Sequence, residues 1–145
     1  MSQVCLIAAD KPLPLCDRQE ERTSTVTAMG QRITVTAFRG FRIAEHSYYR
    51  SAVDVLHLPL KPFQYELELE HHEDDLMHLK DYLSRNFRPG ETVELWNIWV
   101  GIDRSNKIPH FSDCLQAFNM ETLDQFLNPD TPRHLPGQCR MTITI

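Results

Sequence analysis

Tyr65-Glu66-Leu67-Glu68-Leu69-Glu70, followed by Val93-Glu94-Leu95-Trp96-Asn97-Ile98-Trp99-Val100, decides the fold. The first run alternates with period two, so one side of a strand is acidic and the other apolar. The second is apolar on both sides and suits the middle of a sheet. Between them Leu76, Leu79, Leu83 and Phe87 fall at helical spacing, which predicts a helix from about His72 to Phe87. Asp74 and Asp75 near its start and Lys80 and Arg85 near its end complement the helix dipole. Pro89-Gly90 stops it.

Working outward, Val4–Ala9 predicts a short buried strand, stopped by Pro12 and Pro14, which cannot donate to a ladder. Asp17–Arg22 reads as a surface loop or one exposed helical turn. Thr23–Phe38 reads as a hairpin with strands near Thr25–Ala28 and Ile33–Phe38 around Met29-Gly30, or as a short helix around Val26–Met29. Ser47–Leu58 is either a helix or an edge strand. Met120–Leu127 predicts a second helix ended by Pro129, and Arg140–Ile145 a closing strand. From Phe63 onward the order is strand–helix–strand–helix–strand. Two strands joined through a helix are expected to lie parallel. The expected architecture is α+β, or mixed α/β, with a single mixed sheet carrying two or more helices. With 145 residues, a single globular domain over 1–145 is expected.

The composition is that of an ordinary globular chain, 41% hydrophobic and 24% charged. The net charge of -5 argues against nucleic acid and against an anionic membrane as partners. The four cysteines, Cys5, Cys16, Cys114 and Cys139, include no close pair, so they read as reduced thiols of a cytoplasmic protein. No basic segment with a long apolar run marks a signal peptide, and no apolar run reaches the roughly 20 residues of a membrane span.

Three groups of side chains carry candidate chemistry. His71, Asp75 and His78 share a helix face at i, i+4 and i+7, a spacing able to hold Zn, Ni or Fe. The pattern is not H-E-x-x-H, and a solvated polar face opposite the leucines is the better reading. Glu66, Glu68 and Glu70 project from one side of their strand, as a surface for a basic protein partner or as an acidic face held in water. Asn97 interrupts an apolar strand, where an unpaired amide costs about 1–3 kcal/mol. It either lines a small-molecule pocket with Asp103, Arg104 and Lys107 or bonds to a neighbouring backbone. Of Trp96 and Trp99, on opposite sides of the strand, at least one belongs in the core. Arg39-Gly40-Phe41-Arg42 and Tyr48-Tyr49-Arg50 mix basic and aromatic residues but fit an ordinary surface loop. No glycine-rich phosphate loop, G-x-S-x-G or Cys/His nucleophile pair is recognisable.

Cys5-Leu6-Ile7-Ala8-Ala9-Asp10-Lys11-Pro12-Leu13-Pro14 and Glu94-Leu95-Trp96-Asn97-Ile98-Trp99 resemble stretches of small uncharacterised bacterial proteins that pair such an amino terminus with a strand–helix–strand core. The resemblance implies a bacterial, cytosolic, single-domain protein and carries over no functional residue. The function expected is a non-catalytic module that binds another protein through the acidic face or a self-pairing sheet edge, leaving a homo-oligomer open. No cofactor is expected. A small-molecule pocket at Asn97 and a metal site at His71 are the alternatives.

Overall fold

The computed structural model describes residues 2–101, 108–130 and 137–145. The chain is an α+β protein. Its strands are β1 (Ser2–Ala9), β2 (Cys16–Asp17), β3 (Glu20–Ala28), β4 (Gln31–Arg39), β5 (Arg42–Glu45), β6 (Phe63–Glu68), β7 (Thr92–Val100), β8 (His110–Cys114) and β9 (Cys139–Thr144). The helices are α1 (Arg50–Asp54), α2 (Glu73–Asn86) and α3 (Met120–Leu127), with one 3-10 turn at Leu115–Ala117.

Seven strands form one mixed sheet in the order β2-β5-β6-β1-β7-β9-β8, and β3 and β4 form a separate two-stranded ribbon. Two sheets therefore replace the single one expected. β6 and β7 each pair antiparallel with β1, so they run parallel to one another, as strands joined through a helix should, with β1 between them. β8 and the 3-10 turn also enter the expected strand–helix–strand–helix–strand order ahead of α3. Among the described residues β8 pairs with β9 alone, in parallel. Such an edge strand has no second neighbour to demand alternating burial, and only Phe111 marks it.

The first face of the sheet carries Ile7, Ile43, Leu67, Leu95, Met141 and Ile143 against Leu79 and Leu83 of α2 and Leu123 and Phe126 of α3. Each fully buried leucine there contributes roughly 1.5–3 kcal/mol. α2 is capped by His72, whose Nδ1 accepts from the Asp74 amide at 3.1 Å, and Glu73, Asp74 and Asp75 follow in its first turn. α3 is held by a capping box between Asn119 and Thr122. The second face carries Val4, Leu6, Trp96 and Ile98 under Val53 of α1 and Leu56, Leu58 and Leu60 after it. Among the described residues no helix is long and apolar enough to cross a membrane.

The ribbon turns through Met29 (φ 53°) and Gly30 (φ 75°), the paired positive values of a type I′ hairpin. It is in register from Glu20↔Arg39 to Ala28↔Gln31, longer at both ends than its β-propensity suggests. Of Asp17–Arg22 only Arg18 and Gln19 form a loop; Asp17 ends β2 and Glu20 starts β3. The ribbon projects into solvent, with Val26, Ile33, Val35 and Phe38 exposed.

Candidate functional site

Asn97 lies on β7 beneath the end of α3 and is fully buried. Its amide nitrogen donates to the Phe126 carbonyl at 2.9 Å and the Leu127 carbonyl at 3.3 Å, and its oxygen accepts from Gln3 Nε2 at 2.8 Å. The side chain thus ties two carbonyls of the last helical turn to the sheet, and the Phe126 carbonyl also accepts from the Cys139 thiol at 3.5 Å. Asp103, Arg104 and Lys107, grouped with it in the sequence, lie outside the described residues.

Leu67 faces α2, and Glu66 and Glu68 take the other side of β6, as the alternation predicts. Glu70 lies beyond the end of the strand. All three line one cleft of about 460 Å³, together with Gln19, Phe38 and Arg39. They do not form a free acidic face. Glu68 accepts from Gln19 Nε2 at 2.7 Å and pairs with Arg42 at 3.4 Å. Glu70 pairs with Arg22 at 3.2 Å and Arg39 at 3.9 Å. Glu66 has a buried Oε1 without a hydrogen-bond partner among the described residues. Burial, then the neighbouring Glu68 charge, raises its pKa against the opposing pull of Arg42.

The expected histidine–aspartate face is not assembled. α2 begins at Glu73, so His71 precedes the helix, where its Nε2 lies 3.0 Å from the Met120 carbonyl. Asp75 is fully buried and committed: Arg22 reaches its two oxygens at 2.6 and 3.1 Å, and the Glu70 amide donates at 2.7 Å. His78 stacks on Phe41 at 6.3 Å between ring centroids. Among the described residues no three His, Cys, Asp or Glu side chains are grouped to hold a metal ion. The Arg22–Asp75 pair instead clamps the base of the ribbon to α2. Gly40 makes room for it: at φ 132°, a Cβ there would stand 3.4 Å from both Arg22 Nη2 and Asp75 Oδ1.

All four cysteines are free. Burial pushes the Cys5 and Cys139 thiols up to about 12, with Cys139 adding to the shift at Cys5. Both stay protonated at neutral pH and behave as small apolar side chains. On the second face, Glu94 is buried beside Arg140 at 2.7 Å and accepts the Lys61 amide at 2.8 Å, and Arg140 lies 5.1 Å from the Trp96 ring. Trp99, on the opposite side of β7, is half-buried and donates to the Gly137 carbonyl at 3.0 Å.

Sequence reasoning passed over one residue cluster. Glu45 pairs with Tyr65 at the end of the β5–β6 ladder, so one further step sets His46 opposite Gln64, two residues along β6 from Glu66. His46 is 4% exposed, yet neither ring nitrogen has a partner among the described residues, and the same holds for the buried Gln64 Oε1. Burial, then Arg50, lowers the imidazole pKa, with Asp54 opposing, so the ring is neutral at neutral pH. A lone histidine after a short strand carries no periodic signal that would have marked it. Comparison with protein-family models, with curated proteins and with solved structures finds no match.

Proposed function

We propose that this protein is a non-catalytic interaction module that pairs with a second copy of itself through the outer edge of β4. The observation that carries this reading is the ribbon: nine residues in each strand, no neighbouring strand on either side among the described residues, and an apolar side made by Val26, Ile33 and Val35. A two-stranded ribbon in water is marginally stable, and an unpaired edge of about 30 Å is a template for strand addition. The β4 sequence is compatible with its own antiparallel image. Pairing about Val35 sets Ile33 against Ala37, Thr34 against Thr36, Arg32 against Phe38 and Gln31 against Arg39, with no like charges opposed. A four-stranded sheet then continues the apolar side across two copies. The glutamates on and after β6 fit this role less well, since arginines already neutralise Glu68 and Glu70. The four free thiols support a cytoplasmic setting for the module.

Light scattering across a concentration series tests the reading. The protein is expected to show a concentration-dependent dimer. Val35→Lys, which opposes two ammonium groups at the two-fold axis, is expected to give a monomer with an unchanged circular dichroism spectrum. A wild-type monomer at every concentration would overturn the proposal, as would a Val35→Lys dimer.

A further inference from the structure

Pairing through the β4 edge leaves one side of the ribbon open. Directly opposed residues share a side, so the register places Ser24, Val26, Ala28, Ile33, Val35 and Ala37 on one side and Thr23, Thr25, Thr34 and Thr36 on the other. The threonine side suits water, and the Thr23 and Thr36 hydroxyls lie 3.0 Å apart on it. Val26, Ile33 and Val35 are 51%, 47% and 41% exposed, so the body of the protein does not cover the apolar side. The charged residues of that side, Glu20, Arg22 and Arg39, stand at the base of the ribbon and are already engaged. Arg22 pairs with Glu20 at 3.4 Å and Asp75 at 2.6 Å, and Arg39 with Glu70 at 3.9 Å. A sheet with one apolar side buries that side against another layer.

We infer that this side stacks face to face on the same side of a second edge-paired dimer, which makes the protein a tetramer. The inference rests on the β4 pairing proposed above, and area sets the order of the two contacts. Two single ribbons, each about 30 by 10 Å, hide only about 600 Å² when stacked. Two four-stranded sheets, each about 30 by 19 Å, hide about 1,100 Å², above the roughly 1,000 Å² that a specific interface needs. Pairing about Val35 brings the two Val35 side chains to the centre of the sheet, with Ile33 beside Ala37 above and below them and Val26 beyond each Ile33. Glu20, Arg22 and Arg39 fall on the outer strands and end rows, which gives an apolar centre with a polar rim. The centre carries no charge and selects an equally uncharged surface, which the second dimer supplies by symmetry. The two-fold axis between the paired Val35 residues stands perpendicular to the sheet and serves both layers, so the assembly closes at four chains.

Sedimentation velocity of the full chain over a concentration series, read as mass per particle, tests the inference. The wild type is expected to pass from two chains per particle to four as concentration rises. Val26→Lys lies on β3, away from the paired edge, and is expected to stop at two. Val26 is half-exposed, so this variant is expected to keep the wild-type circular dichroism spectrum. Thr25→Lys puts the same charge on the opposite side of the same strand and is expected to reach four. A wild-type dimer that gains no mass at the highest concentration overturns the stacking and leaves the edge pairing standing, whereas a wild-type monomer overturns both. A Val26→Lys tetramer, or loss of the tetramer in Thr25→Lys, also overturns the stacking.

Discussion

The face of the seven-stranded sheet under α2 and α3 is apolar from Ile7 to Ile143, and its one fully buried amide, Asn97, is bonded at both ends. The opposite face mixes Val4, Leu6, Trp96 and Ile98 with Glu94, Arg140, His46, Gln64 and Glu66, and is covered by a helix of only five residues. Both faces bury apolar side chains, but of the six buried polar atoms without partners among the described residues four belong to His46, Gln64 and Glu66 and one to Arg140, all on the second. Such atoms cost about 1–3 kcal/mol each, and a sheet needs none of them to fold. The difference teaches that apolar packing is nearly complete on the first face, whereas the second combines a smaller apolar cluster with buried polar groups.

The largest effect is expected from Leu83→Ala, which removes a fully buried side chain where α2 meets the first face. Urea denaturation is expected to show a loss of about 3 kcal/mol; a loss under about 1 kcal/mol would erase the contrast between the faces. Asn97→Ala is expected to cost about 2 kcal/mol, because it leaves the Leu127 carbonyl and Gln3 Nε2 without their partner and the Phe126 carbonyl with the Cys139 thiol alone. Hydrogen exchange is expected to quicken first in α3, and exchange unchanged there would mean that the amide does not anchor the helix.

Glu66→Gln gives the smallest effect, of opposite sign. Its pKa in the folded protein is raised above the ordinary 4.5, so the folded state holds the proton more tightly than the unfolded chain. The stability this contributes is full below the ordinary value and is lost as pH rises through the raised one. At neutral pH the ionised carboxylate is therefore a handicap, which glutamine lacks. The variant is expected to gain about 1 kcal/mol at pH 7 and nothing near pH 3, read from paired urea midpoints. A loss at pH 7 would show the carboxylate to be satisfied.

Elements whose burial repeats along the sequence were legible from it. α3 lies on Met120–Leu127 as its spacing predicts, and α2 is one residue shorter at each end than predicted because His72 caps it and Phe87 is already extended. The ribbon was visible through its Thr and Val content, but both its sides meet water, so no alternation in burial marked its ends. β8 was invisible for a similar reason: an edge strand reading His-Phe-Ser-Asp-Cys has one apolar contact to reveal it. At the candidate sites the limit was distance along the chain. Asn97 was evidently out of place within its strand, but the carbonyls it serves belong to another helix. Asp75 was recognised as a polar group near the helix start, whereas its partner Arg22 comes from the ribbon. His46 and Gln64 meet only through the β5–β6 register, which local sequence does not encode.

The place of β1 at the centre of the sheet sets the order of events in time. Its residues, Ser2–Ala9, come earliest among the strands, yet their two neighbours are Phe63–Glu68 and Thr92–Val100. Closing those long loops precedes any gain from the pairing, which slows folding relative to a meander of the same size. Until β7 arrives from the ribosome, an apolar strand is held open, and the ribbon of β3 and β4, complete by Arg39, is the first element able to form with only local contacts.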